Sequence, residues 1–149
     1  DCSSAQNAAA CFRPGEPMGL FNTVISAHTS TIDLVQAKLP GTPVFLHGYD
    51  YANPNGVGFL GLGQWLQVPM DMCKVPRPLQ QAVVNLCIDT YWTCLTQLQQ
   101  AYAPGIVNLV DQRGTLKPAD WANELHPTPA GFRRVATRWK PALQAAGLA

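Results

Sequence analysis

Apolar positions recur along this chain with two different periods. From Pro17 to Leu39, the residues Leu20, Val24, Ile32, Val35 and Leu39 fall at intervals that favour one face of a helix, and Pro40-Gly41 ends the run. Pro43-Val44-Phe45-Leu46-His47 is short, apolar and bounded by Pro and Gly, which suits a buried parallel strand. Residues 48–76 have no clear period: Asn53-Pro54-Asn55-Gly56 is a turn cluster, and a loop this long in a compact domain is usually functional. Val83, Leu86, Ile88, Leu95 and Leu98 then predict a second long helix over Leu79–Tyr102, stopped by Pro104-Gly105. Ile106-Val107-Asn108-Leu109-Val110 reads as a second strand ending at Asp111. A loop over Gln112–Pro127 leads to a last helix with Thr128 as N-cap, Pro129 just inside it, and Phe132, Val135, Trp139 and Leu143 on its apolar stripe.

The order helix, strand, helix, strand, helix argues for an α/β fold in which helices cover a parallel sheet on both faces. Two strands do not make a stable open sheet. Residues 1–149 therefore read as one domain, the later portion of a doubly wound sheet, with its first strands supplied by misread residues or by another polypeptide.

Composition narrows the class. Charged residues are 13% of the chain, roughly half the usual share, and the formal net charge of +1 leaves no basic stripe for nucleic acid. No apolar run approaches the ~18 residues that span a bilayer. The three histidines, at 28, 47 and 126, stand far apart with no paired spacing, so a metal site is not expected. Among the five cysteines, Cys2 can pair with Cys11, and Cys73 can reach Cys87 or Cys94. Cys87 and Cys94 lie about 10 Å apart along one helix and cannot bond to each other. Such spacing with low charge fits a disulfide-bearing, secreted or periplasmic protein whose odd thiol is free or pairs outside the chain, the alternative being cysteines kept as buried free thiols.

In parallel sheets, sites gather beyond the carboxyl ends of the strands. Those ends here carry His47-Gly48-Tyr49-Asp50-Tyr51 and Asp111-Gln112-Arg113-Gly114, followed by the Asp120–Thr128 loop. A histidine in that loop, just before a capped helix, has the reach and fixed orientation a general base requires; the alternative is a loop histidine satisfied by backbone. His47, Tyr49 and Tyr51 are candidates to line a substrate pocket, and Tyr49, Tyr51 and Trp65 to form an apolar platform. Trp121 is expected to anchor the loop, and Asp111 with Arg113 to form an internal ion pair. Gly56-Val57-Gly58-Phe59-Leu60-Gly61 matches a dinucleotide fingerprint in letters, but it follows a turn cluster instead of a strand, so it reads as a pocket-lining loop.

The segment from Asp120 to Ala136, DWANELHPTPAGFRRVA, resembles the last signature block of the SGNH/GDSL hydrolases, an Asp-x-x-His followed by Pro or a small residue and a Gly-led helix. VNLVDQRGTL and PVFLHGYDYANPNG are similar to later portions of bacterial members, so the likeness covers roughly residues 17–147. The resemblance implies a three-layer, flavodoxin-like α/β domain and a carboxylic ester hydrolase with His126 as catalytic base and no cofactor. The implied substrate is an ester of an acyl lipid, an acetylated sugar or a small acid. Asn123 stands where the family has Asp; it, Glu124, Asp120 or a backbone carbonyl would orient the imidazole. The family's Gly-Asp-Ser nucleophile, oxyanion glycine and Asn-containing block have no counterpart in residues 1–149, and Ser3, Ser4, Ser26 and Ser30 do not sit at strand-to-helix turns. The serine is therefore expected from a separate N-terminal chain or segment, with Asp1 as the possible last residue of the Asn-containing block. The alternative is a non-catalytic SGNH-like binding or assembly domain, and a third reading is a complete small protein whose likeness is accidental.

Overall fold

The computed structural model describes residues 2–13, 15–59 and 63–148; Asp1 and the Leu60-Gly61 end of the glycine-rich run lie outside them. The chain is mixed α/β, with helices α1 (Glu16–Lys38), α2 (Gln67–Met72), α3 (Arg77–Gln100) and α4 (Pro129–Ala145) and strands β1 (Val44–His47) and β2 (Val107–Val110). Short 3-10 turns occupy Ala8–Cys11 and Pro118–Asp120. The bounds of α1, β1, α3 and β2 fall within two residues of those expected, and α4 begins at Pro129 with Thr128 as its N-cap, as the capping signal predicts.

Backbone chemistry explains the punctuation. After α1, the Gln36 side chain accepts from the Gly41 amide at 3.0 Å and donates to the Thr42 carbonyl at 2.7 Å, closing the turn into β1. At α4, the Thr128 hydroxyl accepts from the Gly131 amide at 3.1 Å, satisfying one of the free donors of the first turn.

β1 and β2 pair in parallel, Val44 opposite Val107 and His47 opposite Val110, with α3 as the crossover. Alternation along the strands sends Val44, Leu46, Val107 and Leu109 into a cluster with Ile32 and Ile25 of α1 and Leu98 of α3. Phe45 and His47 turn the other way, toward Trp139 of α4, at ring-centroid distances of 6.4 and 5.5 Å. α1 and α3 are further joined by stacked Phe21 and Tyr91, and just beyond α3 the Tyr102 hydroxyl donates to Asp33 of α1 at 2.8 Å. Two further clusters form beneath the loops, Cys2, Val75 and Val83 in one and Ala52, Val84 and Trp121 in the other.

The larger, three-layer sheet expected from the sequence is not what the described residues form: their sheet has two strands, and an isolated antiparallel bridge joins Trp121 to Pro127 outside it. β1 is only half-buried along Val44–Leu46. All five cysteines are free thiols. The Cys2 thiol donates to the Cys11 carbonyl at 3.4 Å, and the Cys2 amide donates to the Cys73 carbonyl at 2.8 Å. Burial, followed by the neighbouring Cys2 thiol, pushes the Cys11 thiol up. Among the described residues, no helix is long and apolar enough to cross a membrane.

Candidate functional site

The loop from Trp121 to Thr128 folds back on itself. Ala122 donates its amide to the His126 carbonyl at 2.8 Å, and Thr128 donates to the Asp120 carbonyl at 2.7 Å. Inside this turn Asn123, 3% exposed, accepts at one oxygen from three donors: the Leu125 amide at 3.0 Å, the His126 amide at 2.8 Å and His126 Nδ1 at 3.0 Å. Two of these donors are backbone N–H groups, so the atom between them must be the amide oxygen and not its nitrogen. The third partner, Nδ1, must then carry the ring proton. In the neutral ring that tautomer leaves the lone pair on Nε2, on the opposite side, which forms no hydrogen bond among the described residues.

The other candidate orienters are engaged elsewhere. Glu124 is fully buried, and its carboxylate accepts from the amides of Gly56 (3.2 Å), Leu66 (2.8 Å) and Gln67 (2.8 Å), tying the loop after β1 and the start of α2 to the histidine turn. Asp120 accepts from the Lys117 amide at 2.9 Å and from Arg134 at 3.2 Å; these partners hold its carboxyl below the usual range.

His126 is exposed and lines a cavity of about 250 Å³ together with His47, Tyr49, Gln112, Trp121 and Phe132. Trp65 meets the imidazole edge-on at 5.7 Å and Phe59 lies at 6.5 Å, both from the loop read as irregular. The expected pocket residues divide. His47 lines the cavity, its Nδ1–H donated to the Gly48 carbonyl at 2.8 Å. Tyr49 lines it too, and its hydroxyl, pushed up by burial, donates to the Leu125 carbonyl within the histidine turn.

Tyr51 does not line the cavity. Its hydroxyl donates to Asp89 at 2.8 Å, a bond that raises its ionisation above the ordinary tyrosine value. Asp89 also takes Arg113 at 2.8 Å, and Arg113 pairs with Asp111 at 2.9 Å while lying 5.0 Å over the Trp92 ring. Arg113 is thereby held firmly charged, and the Asp111 carboxyl is drawn below its usual range. The Asp111–Arg113 ion pair expected from the sequence is thus present, as is the anchoring of the loop by buried Trp121.

Sequence reasoning missed two residues here. Asp50, 5% exposed, accepts from the amides of Tyr51, Gly114 and Leu116 at 2.6–2.7 Å, clamping together the two loops that follow β1 and β2. Gln112 lines the cavity with its side chain buried. Its place directly beyond the carboxyl end of β2 was the one available signal. None of Ser3, Ser4, Ser26 and Ser30 lines the cavity, and among the described residues no group of three or more His, Cys, Asp or Glu is placed to hold a metal ion.

Comparison with protein-family models, with curated proteins and with solved structures found no match to this chain.

Proposed function

We propose that this chain carries the general base of an SGNH-type carboxylic ester hydrolase, with His126 as the base and Asn123 as its positioning residue. The observation that carries this is the 3.0 Å contact between Asn123 Oδ1 and His126 Nδ1, with the oxygen identified by two backbone amides. Replacing Asp by Asn beside a catalytic histidine is damaging where it selects the wrong tautomer. Here the amide is oriented to accept, so the ring keeps the tautomer a base needs, and only the charge that would favour the imidazolium is lost.

The nucleophile in this proposal is a serine on a segment outside residues 1–149, such as a separate N-terminal chain. Nε2 removes the serine proton as Oγ bonds to the ester carbonyl carbon, then returns it to the departing alkoxide. Water, deprotonated at Nε2, attacks the acyl-serine and releases the acid, restoring the serine proton. That segment would also extend the two-stranded sheet into the three-layer domain. In support, Val44 and Gly48 donate their amides to β2, so alternation turns the Phe45 and His47 amides to the outer edge of β1. Exposed Leu20, Leu34 and Leu39 on and just beyond α1 leave apolar surface for it to cover. Export from the cytoplasm is proposed on low charge alone, since the five cysteines are free thiols.

A second reading, a binding or assembly domain that kept the fold without the chemistry, is favoured by one observation: no Ser, Thr or Cys among the described residues lines the cavity. Ester turnover by the protein as isolated from its host separates the two. His126→Ala should lower kcat by about 10²–10⁴-fold, whereas unchanged turnover removes His126 from the chemistry.

A further inference from the structure

A second cavity, of about 310 Å³, shares Tyr49 with the one that His126 lines. Its volume falls within the range of small-molecule pockets, roughly 300–1,000 Å³. Val83, Val84, Cys87 and Ile88 give it one face of α3. These positions span five residues, so the cavity follows the helix axis for about 7.5 Å. Met70 of α2 and Ala52 of the loop after β1 complete its walls. Ala52, Val83 and Val84 are buried, so its floor belongs to the core, whereas Tyr49 and Trp65 are exposed and stand on its solvent side.

This lining carries no charged side chain among the described residues. The Tyr49 hydroxyl is spent on the Leu125 carbonyl, and burial pushes the Cys87 thiol up, which keeps it neutral. The Trp65 indole N–H and one thiol remain, too few partners to replace the hydration of a sugar. Three of its residues adjoin the histidine: Trp65 meets the imidazole edge-on at 5.7 Å, Leu125 precedes it in the chain, and Tyr49 lines both cavities. The segment proposed above to extend the sheet would dock on α1 and the outer edge of β1, and no residue of either element lines this cavity.

We infer that this cavity binds an unbranched aliphatic chain, and that under the hydrolytic reading, on which this role rests, it holds the acyl chain of the ester with the carbonyl end toward His126. That selects a medium-chain acyl ester over an acetylated sugar or the ester of a short acid. A group the size of a water takes about 30 Å³, so about 310 Å³ holds at most about ten carbons.

Methyl ketones keep the carbonyl and the chain of an ester without its leaving group. Methyl propyl, methyl pentyl and methyl heptyl ketone and N-acetylglucosamine are therefore the probes, titrated into the purified protein and followed by methyl NMR. Affinity should rise about tenfold for each added pair of methylenes, the gain from burying them, and N-acetylglucosamine should not bind at the same concentrations. The shifts should fall on Met70, Val84 and Ile88 and spare Leu116 and Val135, which line the other cavity. Ile88→Trp, which fills the space, should remove the dependence on chain length. Should that variant fail to fold, Pro69→Trp, at an exposed lining position on α2, reads the same outcome. Equal affinity along the series, binding of none of the ketones, tighter binding of the sugar, shifts centred on Leu116 and Val135, or a dependence that survives the substitution would each overturn the proposal. Turnover insensitive to His126→Ala beside an intact series would defeat the hydrolytic reading and leave the chain site standing. A flat series beside turnover that needs His126 would defeat the acyl assignment alone.

Discussion

Two side chains with different partners hold the histidine turn. Asn123 fixes the ring, and Glu124 fixes the turn to the rest of the molecule through three backbone amides. A carboxylate with no exposure is stable only when its lone pairs are filled, and removing it leaves three donors without a partner. Glu124→Ala should therefore cost about 3 kcal/mol or more, and Glu124→Gln less, since one carbonyl oxygen can still accept; denaturant unfolding of the two variants measures the difference. The position of His126 in a loop just before a capped helix, at the edge where the two strands end, was legible in the sequence. The role of Glu124 was not, because its partners at Gly56, Leu66 and Gln67 lie 57–68 residues away in sequence and only folding brings them together.

Elements punctuated by local chemistry were readable, and those fixed by tertiary contacts were not. Pro40-Gly41, Pro104-Gly105 and Thr128-Pro129 end or start helices by rules that act within a few residues, and the structure follows them. α2, six residues inside a stretch without period, is held at its N-terminus by the Glu124 carboxylate and gave no such signal. Gly131 shows a tertiary constraint behind a local motif. A Cβ at this position would meet the Asp120 carbonyl oxygen at 2.5 Å and Pro127 Cβ at 2.9 Å. The Gly that leads α4 in the resembling block is thus required by close approach of the helix to the turn before it. Gly131→Ala should destabilise the fold by about 1–3 kcal/mol despite the better helix propensity of alanine, and a lowered melting temperature with unchanged helical circular dichroism at low temperature checks it.

The described residues form a βαβ unit with three long helices, and the candidate site lies at the carboxyl edge of its short sheet. That placement followed from the alternation of elements, but the sequence could not say which polar residues beyond β1 and β2 face the cavity and which face each other. Tyr51 and Tyr49 are two residues apart, yet one joins the Asp89–Arg113–Asp111 network and the other the cavity. The network gives the fold an acid limb. Arg113 depresses the Asp111 carboxyl in the folded state, so its stabilisation is present above the unfolded value near pH 4 and is lost as pH falls through the lower folded value. Asp111→Asn should flatten stability below about pH 4 relative to the wild type, as read by urea titrations at a series of pH values. The hydrolytic proposal stands or falls first on the state of one ring. At pH 8, where an ordinary histidine is neutral, nitrogen-15 NMR of the imidazoles should show His126 protonated at Nδ1 with Nε2 bare, and Asn123→Ala should release it to the usual mixture of tautomers. A His126 ring protonated at Nε2 in the wild-type chain would mean that Asn123 does not set up a base, and the proposed role of His126 would be contradicted.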